Sequence, residues 1–266
     1  MSFDYTFQFC NDEVFCAYTV PYTYSQMQLH IKMVKQLSDE SRKCSHPLSH
    51  NLASHHLASH NLAANKTRSM TLKLTRFFCV DYKFIRFESM GTSNGGMDIP
   101  ILKISNKNSK GEYDDKPIVL IIGRQHSGET HSSFIIHGLI NFLTSRHVLS
   151  HKMREKYEFW IAPIVNPDGV IIGNYRTNTQ GKDMNRHFFA DDDPEGFKQR
   201  LTEVEIIRTY LKEKITQKEN LKIFLDIHAH SAQNSIFCYC PLTEETAQNN
   251  IIRRLPMILD NMSAYF

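Results

Sequence analysis

The chain has 266 residues, of which 41% are hydrophobic, and a formal net charge of +3, so it can bury a sizeable core in one main domain and lacks the basic excess of a nucleic-acid binder. No stretch comes near the roughly eighteen uninterrupted apolar residues that would suggest a membrane-spanning helix. The opening MSFDYTFQFC has neither the basic nor the apolar region of a signal peptide, and the 6 cysteines show no C-x-x-C pairing; reduced thiols in a cytoplasmic protein are the expectation.

In chain order, residues 3 to 20 read as two short aromatic-rich strands separated by Asn11 and Asp12, followed by PYTY and a helix from about Ser25 to Leu37. Residues 45 to 65, SHPLSHNLASHHLASHNLAAN, repeat a short unit that carries His46, His50, His55, His56 and His60. A metal tract is conceivable there, but no period puts apolar residues on one face, so a disordered insertion is expected. Strand-like runs follow at 76 to 88 and 98 to 105, then the continuous apolar run PIVLIIG at 117 to 123, a helix from about Gly128 to Thr144, and the strand YEFWIAPIV at 157 to 165. A polar segment, 166 to 188, precedes a helix from about Phe197 to Lys214 and the strand LKIFLDIHAH at 221 to 230. Strands too uniformly apolar to be half-exposed, alternating with helices, predict an α/β fold: a mostly parallel mixed sheet flanked by helices.

In such sheets, binding groups gather beyond the carboxyl ends of the strands. His126 and Glu129 follow the apolar run ending near Ile122, and His228 closes the strand beginning near Leu221. Two imidazoles and a carboxylate are a zinc ligand set that leaves one position open for water. The tetrapeptide H-x-x-E alone is a weak signal, and a bland reading stays open: a loop histidine, a carboxylate favoured by a helix N-terminus, and a strand-end histidine.

The motifs HSGET, NPDGV, GNYR with G-x-D-x-N-R, and DIHAHS occur in this order, and together they resemble the M14 metallocarboxypeptidases. FCAYTVPYTY with HSGET and NPDGVIIGNYR is similar, more narrowly, to the cytosolic carboxypeptidases that trim glutamate from tubulin tails, and DIHAHS with YRTNTQG most resembles the type that removes the branch-point glutamate. Ser127 stands where that family usually has proline, which changes loop stiffness and no ligand. The resemblance implies one zinc ion held by His126, Glu129 and His228, with Asn185 and Arg186 clamping the substrate's terminal carboxylate and Arg176 stabilising the oxyanion. It implies glutamylated protein tails such as those of tubulin as partners, with no nucleic acid and no membrane, and a cytoplasmic, microtubule-associated location. Asp226 is a candidate to orient a ligand imidazole, and His230 shares a strand face with His228 by period two.

The same resemblance makes residues 1 to 20 a remnant of the family's β-rich N-terminal domain and residues 21 to 266 the catalytic domain, C-terminally incomplete. The family's general-base glutamate lies on a strand further downstream, so it is expected to be absent from this chain. The acidic residues after His228 are Glu244, Glu245 and Asp260; the two glutamates read as helix-start groups, and slow turnover is the expectation. Two other functions fit parts of the pattern: a non-catalytic binder of acidic tails, and an amidohydrolase of the aspartoacylase kind.

Overall fold

The computed structural model describes residues 17, 19–43, 84–113, 115–188, 201–215, 220–233, 235–241 and 244–265. The expected N-terminal strands, apart from residues 17, 19 and 20, and the low-complexity tract at 45 to 65 lie outside the described residues. Contacts divide the chain into two compact units, residues 1–228 and 229–266.

The strand Ile118–Gly123 (β3) is apolar and buried at every position, so it needs a strand on each side and cover on each face. Around it the first unit builds α1 (Tyr24–Lys43), β1 (Ile85–Thr92), β2 (Asp98–Ile104), α2 (His131–Thr144), α3 (Val148–Lys156), β4 (Glu158–Ala162), α4 (Pro167–Ile172), a single 3₁₀ turn (Met184–Arg186), α5 (Thr202–Ile215) and β5 (Leu221–Ile227). The sheet order is β1-β2-β4-β3-β5. β3 runs parallel to both its neighbours, β4 and β5, while the β1–β2 hairpin joins β4 in antiparallel fashion. The sheet is therefore mixed and open, with its parallel pairings at β3.

Period-two alternation sends successive side chains to opposite faces, and two cores follow from it. Ile118, Leu120 and Ile122 join Trp160 and Ala162 of β4 on the face covered by Val204 and Ile207 of α5. Val119 and Ile121 join Phe159 and Ile161 on the other face, covered by Ile136, Ile140 and Leu143 of α2 and Val34 of α1.

Some boundaries depart from expectation. The helix expected from Gly128 starts at His131, because residues 124–130 are used as a loop, and α1 continues to Lys43. Helix α3 was not expected: VLSHKMREK has little apolar period and buries only Ser150 and Arg154. What fixes it is polar. His147 Nδ1 accepts from the Leu149 amide, and the buried Arg154 guanidinium donates to Asn106 Oδ1 (2.9 Å) and to the carbonyls of Leu143 and Ser145.

The second unit contains α6 (Thr246–Met262), with Glu245 at its N-cap position and Pro256 inside it. The Ile236 amide donates to the Tyr265 carbonyl at 2.6 Å and closes that unit on itself. Among the described residues no helix is long and apolar enough to cross a membrane.

Candidate metal centre

β3 ends at Gly123, where a Cβ would meet Ile136 Cδ1 at 2.6 Å, so α2 packs directly on the backbone. The chain then turns through Arg124, a non-glycine residue at φ 55°, into a loop in which the Glu129 amide donates to the His126 carbonyl at 3.2 Å. That turn brings the side chains of His126 and Glu129 together. Gly128 lies between them because nothing larger fits: its amide donates to the Tyr175 carbonyl at 2.6 Å, and an added Cβ would come within 2.6 Å of the same oxygen. Ser127 Oγ donates to the Asn174 carbonyl (2.7 Å), a second tie between the same two loops. His228 follows Ile227, which pairs with Gly123, so the parallel register delivers it to the same end of the sheet.

The three side chains meet. Glu129 Oε1 is 2.9 Å from His126 Nδ1, Glu129 Oε2 is 2.9 Å from His228 Nδ1, and the two Nδ1 atoms are 3.0 Å apart. The far nitrogen of each ring is tied to a carboxylate: His126 Nε2 to Asp183 Oδ1 at 3.0 Å and His228 Nε2 to Asp226 Oδ2 at 2.8 Å. With each Nε2–H donating to its aspartate, both Nδ1 lone pairs face one point beside an anionic carboxylate. Such a cluster of donors repels itself unless something positive sits between them. Burial alone would lower the pKa of His228, but hydrogen bonds to Asp226 and Glu129 and their charges prevail and push it up to about 9. One ligand atom from each of His126, Glu129 and His228 lies within 4.8 Å of the others, and two imidazole nitrogens with a carboxylate oxygen suit zinc.

Arg176 reaches the same point. Its Nε donates to Asp183 Oδ2 at 2.7 Å, and its Nη1 is 3.4 Å from His126 Nδ1 and 3.9 Å from Glu129 Oε1. Burial would raise the pKa of Asp183, but the bonds from Arg176 and His126 hold it below the ordinary carboxylate range. Asn185 and Arg186 follow on the 3₁₀ turn, with the Asn185 amide donating to Asp183 Oδ1 at 2.9 Å. Both residues are exposed, and among the described residues the Arg186 guanidinium bonds only the neighbouring Asn185 carbonyl, at 3.4 Å. His230 belongs to the second unit, where its ring packs edge-on to Phe237. Two residues that carry the site were not singled out from sequence: Asp183, whose signal was its place in G-x-D-x-N-R, and Arg124, for which the apolar pattern gave none.

The family model for zinc carboxypeptidases, Peptidase M14, matches residues 81–258. The chain belongs to this family. Mouse cytosolic carboxypeptidase 6 is 38% identical over 171 residues, 62% of this chain and 30% of that protein. Zebrafish cytosolic carboxypeptidase 1 is 26% identical over an alignment that spans 100% of this chain and 21% of that protein. The chain thus spans a third or less of the length of these two relatives. Thrombin-activatable fibrinolysis inhibitor shares the fold, with a TM-score of 0.50 and 16% identity over 90% of this chain and 68% of its own. Family membership places the chain among the zinc carboxypeptidases and favours that family over the aspartoacylase-like reading.

Proposed function

We propose that this zinc carboxypeptidase chain binds the acidic C-terminal tail of a glutamylated protein, tubulin being the expected case, and acts in the removal of terminal or branch-point glutamates in the cytoplasm. The observation that carries the reading is the convergence of His126 Nδ1, His228 Nδ1 and the Glu129 carboxylate, with the Arg176 guanidinium on the same point. Its support for an acidic substrate is the pair of exposed groups, Asn185 and Arg186, adjacent in chain to Asp183, together with the deglutamylase-like motifs; the names of the cytosolic carboxypeptidase relatives support the cytoplasmic location.

His126, Glu129 and His228 would hold the zinc ion, which would supply Lewis-acid chemistry at the carbonyl of the scissile amide. The chain's own groups do the rest of the binding. Arg186 presents a planar fork to a terminal carboxylate, with Asn185 beside it, and Arg176, fixed in orientation by Asp183, offers N–H donors where negative charge develops on the carbonyl oxygen. Asp183 and Asp226 hold the imidazoles in the tautomer that presents Nδ1 inward.

Proton transfer needs a further group. Glu129, Asp183 and Asp226 are each engaged with an imidazole, and general acid–base help contributes about 10² to 10⁴ in rate. The 266 residues taken by themselves are accordingly expected to bind tightly and turn over slowly, and the same engagement of all three carboxylates favours a pure tail binder as the second reading. Free-glutamate release from a glutamylated peptide, assayed beside binding of that peptide, separates the two: rapid turnover that Glu245→Gln abolishes would contradict the slow-turnover expectation, while binding with no turnover at all supports the second reading.

A further inference from the structure

Arg124 combines three features that are rare together. It is 3% exposed, it is the one non-glycine residue with positive φ among the described residues, at 55°, and it is a buried cation held chiefly by carbonyl oxygens. Nε and Nη2 both donate to the Ser127 carbonyl, at 3.0 and 2.7 Å. Nη1 donates to the Tyr22 carbonyl at 2.8 Å and to Ser133 Oγ at 3.0 Å. An L-residue is strained in the left-handed region, and a buried guanidinium loses its hydration. Both costs persist only where the surroundings enforce them, and such outliers cluster at functional sites.

Ser127 sits between the ligands His126 and Glu129, and a cavity of about 640 Å³, lined by Tyr22, Arg124, Ser127, Gly128, Thr130 and Tyr175 among others, lies against this loop. Ser127 is 2% exposed, and its carbonyl is gripped by two N–H groups of Arg124, so hydrogen bonds hold the shape of the loop at this point. The far end of the brace is anchored too, because Tyr22 is buried, its hydroxyl is 2.7 Å from His137 Nδ1 on α2, and its ring meets Phe134 edge-on at 5.0 Å. The guanidinium therefore ties the peptide between the two ligands to the PYTY segment, Arg124 and Tyr22 being 102 residues apart in sequence.

We infer that Arg124 is a positioning residue for the metal centre: by clamping the Ser127 carbonyl to the Tyr22 carbonyl it holds His126 and Glu129 in ligating register, and so makes the PYTY segment part of the zinc site's support. The inference rests on the metal-centre reading above. A structural role and a positioning role differ in one substitution. Arg124→Gly removes the clamp and also relieves the backbone, because glycine adopts φ near 55° without strain; Arg124→Lys keeps the charge but, as a point donor, cannot grip two carbonyls as the fork does.

The test measures zinc affinity of the full 266-residue chain by competition with a chromogenic chelator, and the melting temperature of the zinc-free protein, for wild type and both variants. Groups supporting metal ligands typically cost about 10- to 100-fold in affinity when lost. Arg124→Gly is expected to bind zinc at least tenfold more weakly with a zinc-free melting temperature close to wild type, and Arg124→Lys to fall between. A folded Arg124→Gly or Arg124→Lys protein with wild-type zinc affinity would overturn the inference, as would failure of both to fold, since the residue would then serve the fold and not the site. Failure of the wild type to bind zinc would instead overturn the metal-centre reading.

Discussion

Nδ1 of His126 and Nδ1 of His228 lie 3.0 Å apart, with each ring's Nε2 engaged by its own aspartate, Asp183 for one and Asp226 for the other. The two aspartates come from different places, one before the 3₁₀ turn and one inside β5, and do the same thing: they fix the tautomer that turns a lone pair inward. Asp183→Asn and Asp226→Asn keep the shape and remove the charge, so each is expected to weaken zinc binding by about 10- to 100-fold, or about 1.4 to 2.7 kcal/mol. Chelator competition on the two variants checks this; an unchanged affinity in both would mean the aspartates are bystanders.

The carboxylate clamp is tested on the ligand and the protein together. Arg186→Lys preserves charge and loses the two-pronged geometry, and peptide affinity is expected to fall by about 1 to 3 kcal/mol. Amidating the C-terminus of the peptide should cost a similar amount in wild type and little more in the variant, since both remove one interaction. Calorimetry over the four combinations checks it, and equal binding of free-acid and amidated peptides by wild type would remove Arg186 from the account.

Gly128 makes a steric prediction. Its missing Cβ is what lets the Tyr175 carbonyl approach, so Gly128→Ala must push apart two stretches of backbone. Overpacking of this kind costs about 1 to 3 kcal/mol, and because the displaced loop carries two ligands, zinc affinity should fall as well. Denaturant unfolding with and without zinc measures both effects; a fully stable Ala variant would show the loop to be pliable.

Much of this site could be read from sequence because its chemistry is local and its strands are plain. PIVLIIG names a buried strand, and HSGE puts two ligands three positions apart just past its end; the order of the motifs then names His228. Other parts depend on distance. Asp183 meets His126 across 57 residues and Arg124 meets Tyr22 across 102, and an arginine in the sequence gives no sign that it will be buried among carbonyls. Helix α3 was missed for the same reason, since its stability comes from Arg154 and a cap in place of an apolar stripe.

Stability should depend on acid through a stacked pair of histidines that are not metal ligands. His30 on α1 stacks on His137 of α2, with ring centroids 3.5 Å apart and planes 2° from parallel. His30 Nε2 bonds Asn141 Oδ1, and its Nδ1 has no partner among the described residues; His137 faces the Tyr22 hydroxyl. Burial and the neighbouring His137 push the His30 pKa down from 6.5 to about 4, and burial lowers that of His137. The folded state therefore refuses protons that the unfolded chain accepts. Stability is fully present above pH 6.5 and is lost as pH falls toward 4, at up to about 1.4 kcal/mol per pH unit from His30. Unfolding of zinc-free protein followed between pH 7 and 4, in wild type and His30→Leu, checks it, because the site histidines contribute equally to both. The variant should lose part of the slope, and identical slopes would contradict the assignment.

The most direct measurement is zinc content by mass spectrometry and equilibrium dialysis for wild type, for His228→Ala, and for a variant lacking residues 45 to 65 with their five histidines. The account predicts about one zinc per chain in wild type and in the deletion variant, and none at stoichiometric level in His228→Ala. Zinc retained in full by His228→Ala, or lost with the deleted tract, would contradict it.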